Sequence, residues 1–90
     1  MVEYKVKFYD NRTEWFNLNG LRHRLDGPAI EYQDDSPSKF WYINGQRHRE
    51  DGPAVECADG DKWWYLNGKE LSEQEFLDRN KVELTLEEIA

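Results

Sequence analysis

Three times along the chain an aromatic or β-branched run ends on an Asn-Gly pair, at Asn19-Gly20, Asn44-Gly45 and Asn67-Gly68. Asn-Gly favours the positive φ that both central positions of a tight hairpin turn require, so each run predicts a strand entering a hairpin. Counting back from each glycine, Phe16/Leu18, Trp41/Ile43 and Trp64/Leu66 fall on one face of the strand, the expected core face. Trp15/Asn17, Phe40/Tyr42 and Trp63/Tyr65 fall on the other. That second face is too aromatic for ordinary solvated surface. It is either covered by the returning chain or used for binding.

The segments after the turns show that the runs are copies of one unit. Residues 15–29 read WFNLNGLRHRLDGPA and residues 40–54 read FWYINGQRHREDGPA, an offset of 25 residues. It carries Gly20 to Gly45, His23 to His48, Asp26 to Asp51, Gly27 to Gly52 and Pro28 to Pro53. A third copy starts at Trp63 as WWYLNGKE and departs at Glu70, while Val6–Tyr9 supplies a preceding half unit. Asp-Gly-Pro breaks any helix, because glycine admits unusual φ and proline fixes its own φ and removes a donor. Each unit therefore reads as strand, hairpin, kinked extended return and short strand. Stacked units give an antiparallel β meander in which no unit stands alone.

The period changes near the end. Ser72-Glu73-Gln74-Glu75 is a capping-box pattern, and Leu71, Phe76 and Leu77 form an apolar stripe on a helix ending near Asn80. Beyond it a strand at Val82, Leu84 and Leu86 competes with a final helical turn at Thr85–Glu88. The whole chain, 1–90, reads as one domain. It comprises an N-terminal half unit with the first hairpin strand (1–20), repeats at 21–45 and 46–68, and a helical cap and tail (69–90).

The pattern W-Y-x-N-G-x-x-H-R-x-D-G-P-A resembles the variant MORN-type repeat of phage, giant-virus and bacterial proteins, over residues 6–80 or so. The resemblance implies a β-hairpin repeat fold and, for related repeats, protein or membrane-surface interaction; it implies no reaction. It also points to a small phage accessory protein that binds and disables a host enzyme or defence complex.

Composition narrows the picture. Leu, Ile, Val and Phe make up only 19 of 90 residues, but 4 Trp and 5 Tyr supply large groups to close a small core. The net charge of −7 argues against direct nucleic-acid binding, which needs a basic surface. Five of the seven surplus negatives lie from Glu70 onward, including Glu73, Glu75 and Asp78. They form either a solvated helix face or a surface that competes for a basic site on a host nucleic-acid-binding protein. One cysteine, Cys57, excludes an internal disulfide, and no apolar run spans a membrane, so a cytoplasmic location, in the host if phage-encoded, is expected.

His23 with Asp26 and His48 with Asp51 invite a base-catalysis or metal reading. Recurrence once per repeat favours structure instead, with the aspartates organising the turn and the histidines bonded to nearby backbone or carboxylate. Arg22, Arg24, Arg47 and Arg49 either bind phosphate or pair with Asp26, Glu31, Asp51 and Glu56. No catalytic residue, metal or cofactor is assigned. The leading expectation is a non-enzymatic protein-interaction module. Its surface draws on Trp15, Phe40, Tyr42, Trp63 and Tyr65 with the arginines or the acidic cap, and oligomerisation is left open. A small-ligand or nucleotide-sequestering protein using arginine and aromatic side chains comes second, and a His/Asp hydrolase or metal site third.

Overall fold

The computed structural model describes residues 3–33 and 37–79. In chain order the elements are β1 (Lys5–Phe8), β2 (Arg12–Phe16), β3 (Ile30–Tyr32), β4 (Lys39–Phe40), β5 (Tyr42–Ile43), β6 (Gln46–Arg47), β7 (Val55–Glu56), β8 (Lys62–Leu66), β9 (Lys69–Leu71) and α1 (Glu73–Asp78). Seven strands form one antiparallel sheet in the order β1-β2-β3-β4-β7-β8-β9, with β5 and β6 a separate hairpin. The fold is the expected mainly β meander with a short C-terminal helix. At 56 × 34 × 19 Å it is elongated.

The turns follow the sequence in two cases of three. Asn44 (φ 48°) with Gly45 (φ 85°), and Asn67 (φ 51°) with Gly68 (φ 80°), both lie in the left-handed region of a two-residue hairpin turn. The first turn departs from this expectation. Only Gly20 (φ 85°) has positive φ there, and its amide donates to the Asn17 carbonyl. The loop is therefore Leu18-Asn19-Gly20, one residue longer, and it ends in the bulged glycine common to three-residue hairpins.

That extra residue corrects the face assignment. Phe40 pairs with both Ile30 and Val55, and Trp63 pairs with Val55, but the residue opposite Ile30 on β2 is Glu14. The equivalent of Trp41 is thus Trp15 and not Phe16. The hydrogen bonds agree: Trp15 donates to Ala29 and accepts from His23, as Trp41 donates to Ala54 and accepts from His48. A one-residue slip turns every side chain to the opposite face. Trp15 leaves the face proposed for it beside Phe40 and Trp63, and Leu18 is exposed instead of buried.

The core is thin, and its centre explains the Ala of the repeat. Ala29 and Ala54 are fully enclosed, each bonded on both sides: Ala29 to Phe40 and Trp15, Ala54 to Trp63 and Trp41. Ile30, Val55 and Phe76 complete the buried apolar set, and among the described residues no large side chain is fully enclosed. With so little apolar area hidden, stability depends on interlocks between half-buried polar and aromatic groups.

The helix forms as its capping box requires. The Ser72 hydroxyl accepts from the Glu75 amide, and the Glu75 carboxylate accepts from the Ser72 amide; that amide, helped by the Ser72 side chain, holds the Glu75 carboxyl below its ordinary range. Phe76 is buried while Leu77 stays exposed, so the apolar stripe is narrower than expected. The helix stops at Asp78, two residues early, with Arg79 as its C-cap. Residues 80–90, with the competing strand and helical turn and with Glu83, Glu87 and Glu88, lie outside the described residues.

Candidate functional site

The R-H-R-x-D-G-P segment is built around its second arginine. The Arg24 guanidinium stacks on the Trp15 ring at 3.9 Å, and Arg49 stacks on Trp41 at 3.8 Å. Arg24 Nε donates to Asp26 (3.0 Å), and its Nη1 donates to the Pro28 carbonyl (3.2 Å) and to Glu31 (3.4 Å). Arg49 repeats the set with Asp51 (2.9 Å), Pro53 (3.0 Å) and Glu56 (3.4 Å). The opposite side of each guanidinium lies against glycine. A Cβ on Gly27 would sit 2.9 Å from Arg24 Cζ, and one on Gly52 would sit 3.0 Å from Arg49 Cζ. Glycine is needed here because the guanidinium fills the space, since neither residue has positive φ. The motif is therefore a cation held between an indole and a bare backbone, with its edge neutralised by carboxylates.

The histidines join one unit to the next. His23 Nδ1 accepts from the Asn44 amide, and His48 Nδ1 accepts from the Asn67 amide, each at 2.9 Å. Either side of that bond, Gly45 donates to the Arg22 carbonyl and Arg24 donates to the Tyr42 carbonyl. Gly68 with Arg47 and Arg49 with Tyr65 repeat this arrangement one unit on. An accepting Nδ1 places the ring proton on Nε2, and His48 Nε2 faces Glu50 at 3.2 Å. The partner of each motif aspartate is an arginine, not a histidine. Replacing His48 with alanine should cost about 1 kcal/mol, the net worth of one such bond, and speed hydrogen exchange at the Asn67 amide. Unchanged protection at Asn67 in exchange spectra would refute this role.

The first arginine of each segment lies in a different row. Arg22 bonds the buried Glu14 (3.3 Å) and approaches the Tyr42 ring at 5.8 Å. Arg47 donates to the Tyr42 and Tyr65 hydroxyls, each at 3.3 Å, and lies 5.3 Å from the Tyr65 ring. Lys7 over Phe16 extends the alternation of cation and ring. Phe40 meets the Tyr32 ring edge-on, and Trp63 is the most exposed of the proposed surface aromatics. The five aromatics proposed as one surface are thus divided between the arginine stack, the sheet and this row.

Between the two return loops lies an open groove of about 630 Å³. Leu25, Trp41 and Ile43 provide its apolar lining, and Asp26, Glu50 and Asp51 its carboxylates. Those three acids are 75%, 78% and 87% exposed, whereas Arg24 and Arg49 are about 20% exposed and already paired. The groove therefore presents negative charge around apolar side chains. It brings together the R-x-D residues of both repeats, with His48 but not His23, while the cap acids stay apart from it. Of those, Glu75 closes the helix cap and Asp78 accepts from Gln74. Among the described residues no group of three or more His, Cys, Asp or Glu has metal-holding geometry.

Two residues that pattern reading passes over organise the start of the array. Tyr4 accepts the Leu25 amide on its hydroxyl (2.9 Å) and sets its ring edge-on to Trp15 at 5.3 Å. Glu14 is buried between Arg12 (2.6 Å) and Arg22 (3.3 Å). Glu14 occupies the slot where later units carry Phe40 and Trp63, a placement that only the corrected register reveals. Comparison with family models, curated proteins and solved structures gives no significant match.

Proposed function

We propose that the chain is a non-enzymatic protein-interaction module, a MORN-like repeat pair whose working surface is the groove between its return loops. One observation carries the reading: the residues able to do chemistry are engaged in holding each unit together or in joining it to the next. Each motif histidine accepts a turn amide, and each stacked arginine is held by an indole, a carbonyl and two carboxylates. What remains open to a partner is the mixed apolar and acidic surface beside them. The resemblance to phage repeat proteins extends the proposal to a host enzyme or defence complex as partner, met in the cytoplasm. Among the described residues no helix is long and apolar enough to cross a membrane.

The test is comparative capture from a bacterial lysate on immobilised protein. Leu25 is exposed, so Leu25→Ser removes groove surface with little effect on stability. A specific partner retained by the native chain and reduced several-fold by Leu25→Ser is the expected outcome. Turnover of a small substrate that disappears on His48→Ala would instead support a hydrolase.

A further inference from the structure

Resting on that reading, we infer that the groove takes a partner segment in which lysine or arginine flanks an apolar side chain. Charge complementarity around an apolar centre selects such a segment. Arg24 is shared by Asp26 and Glu31, and Arg49 by Asp51 and Glu56, so each guanidinium faces two carboxylates; in the groove itself Asp26, Glu50 and Asp51 stand against Arg24 and Arg49, an excess of one negative charge. The Glu50 carboxylate faces His48 and is an exposed negative charge between the loops, while the Glu50 carbonyl accepts from Arg79. Against this stand Leu25, Trp41 and Ile43, which offer apolar contact but no charge. An acidic segment would meet uncompensated repulsion there, and a purely polar one would leave the apolar lining wet. A basic segment with one apolar anchor satisfies both requirements. Nucleic-acid-binding proteins are rich in such segments, and a partner of that class would be blocked at its own basic site.

The probes are three short synthetic peptides measured by fluorescence anisotropy: two lysines around a leucine, two glutamates around a leucine, and two lysines around a serine. The lysine-leucine peptide should bind most tightly and weaken as salt rises, since the rim carboxylates are exposed. Glu50→Lys reverses an exposed charge and should weaken that peptide about tenfold. The combined variant Asp26→Asn, Glu50→Gln, Asp51→Asn keeps the side-chain oxygens and should do the same; if it fails to fold, Glu50→Lys alone decides. Equal binding of the lysine and glutamate peptides, or affinity indifferent to Glu50→Lys, overturns the charge assignment. Lysate capture that stays sensitive to Leu25→Ser would then leave the interaction-module reading standing. The chain's own edge strand, Lys5–Phe8, also pairs lysines with the highly exposed Phe8. Concentration-dependent self-association abolished by Phe8→Ser would assign the groove to a second copy and overturn the proposal of a foreign partner.

Discussion

Replacing Gly52 with alanine is expected to lower stability by about 2 kcal/mol, close to 10 °C in melting temperature for a chain of this size. The new Cβ would stand 3.0 Å from Arg49 Cζ and 3.2 Å from Nη1, so the guanidinium has to give by a few tenths of an ångström. Such a shift strains more than one contact at once. The Trp41 ring, the Asp51 and Glu56 carboxylates and the Pro53 carbonyl hold the same planar group on its other sides. Arg49→Ala should therefore cost a similar amount, and adding Gly52→Ala to it should cost almost nothing more. The double-mutant cycle is the sharp form of the claim, because residues in direct contact couple whereas independent sites add. Additive losses in urea titrations would show that Gly52 serves the backbone and not the cation. Arg49→Lys should recover little, since an ammonium cannot reproduce a flat, multiply bonded stack.

Glu14→Gln is expected to destabilise the chain by about 2 kcal/mol at neutral pH, the scale of a hydrogen bond to a charged group in a buried place. Burial by itself pushes the Glu14 carboxyl up. The hydrogen bonds from Arg12 and Arg22, helped by their charges, outweigh that and hold it below the ordinary range. A carboxyl depressed in the folded state adds its full stability above the unfolded value of about 4.3 and loses it as pH falls through the folded value. The native and Glu14→Gln chains should therefore differ most near pH 7 and converge on acidification. Chemical denaturation of both across that range measures the gap; a gap constant with pH removes Glu14 as the cause.

How far the sequence could be read depended on whether its signal was local. The capping box at Ser72 and Glu75 involves neighbours only, and it formed as written. The two-residue turns at Asn44-Gly45 and Asn67-Gly68, and the short strands after each Asp-Gly-Pro, were equally legible. The register of β2 was not. Trp15 and Phe16 are adjacent aromatics, as are Phe40 with Trp41 and Trp63 with Trp64, so period-2 alternation cannot say which of each pair faces which way. The deciding feature is a difference in turn length that the identical Asn-Gly spelling conceals. Ion pairs of Arg24 and Arg49 with nearby acids followed from charge and spacing, but their stacking on tryptophan required the corrected register. The groove was least legible, because its two walls are loops 25 residues apart that meet only when hairpins stack.

The longer first turn also decides where the chain could grow. Its amides fold back on the start of their own turn: Gly20 donates to the Asn17 carbonyl, and Asn19 donates to the Asn17 side chain. In the next hairpin the equivalent donors, Gly45 and Asn44, reach outward to Arg22 and His23. A duplicated block placed ahead of Asn17 would find no donors waiting for it, and α1 occupies the chain where a third return segment would begin. A block inserted between Gly45 and Gln46 would instead meet the same donors and acceptors on both sides that the present units offer one another. Lengthening by internal duplication thus preserves both finished ends, and each added cassette would bring one more acidic groove in line with the first.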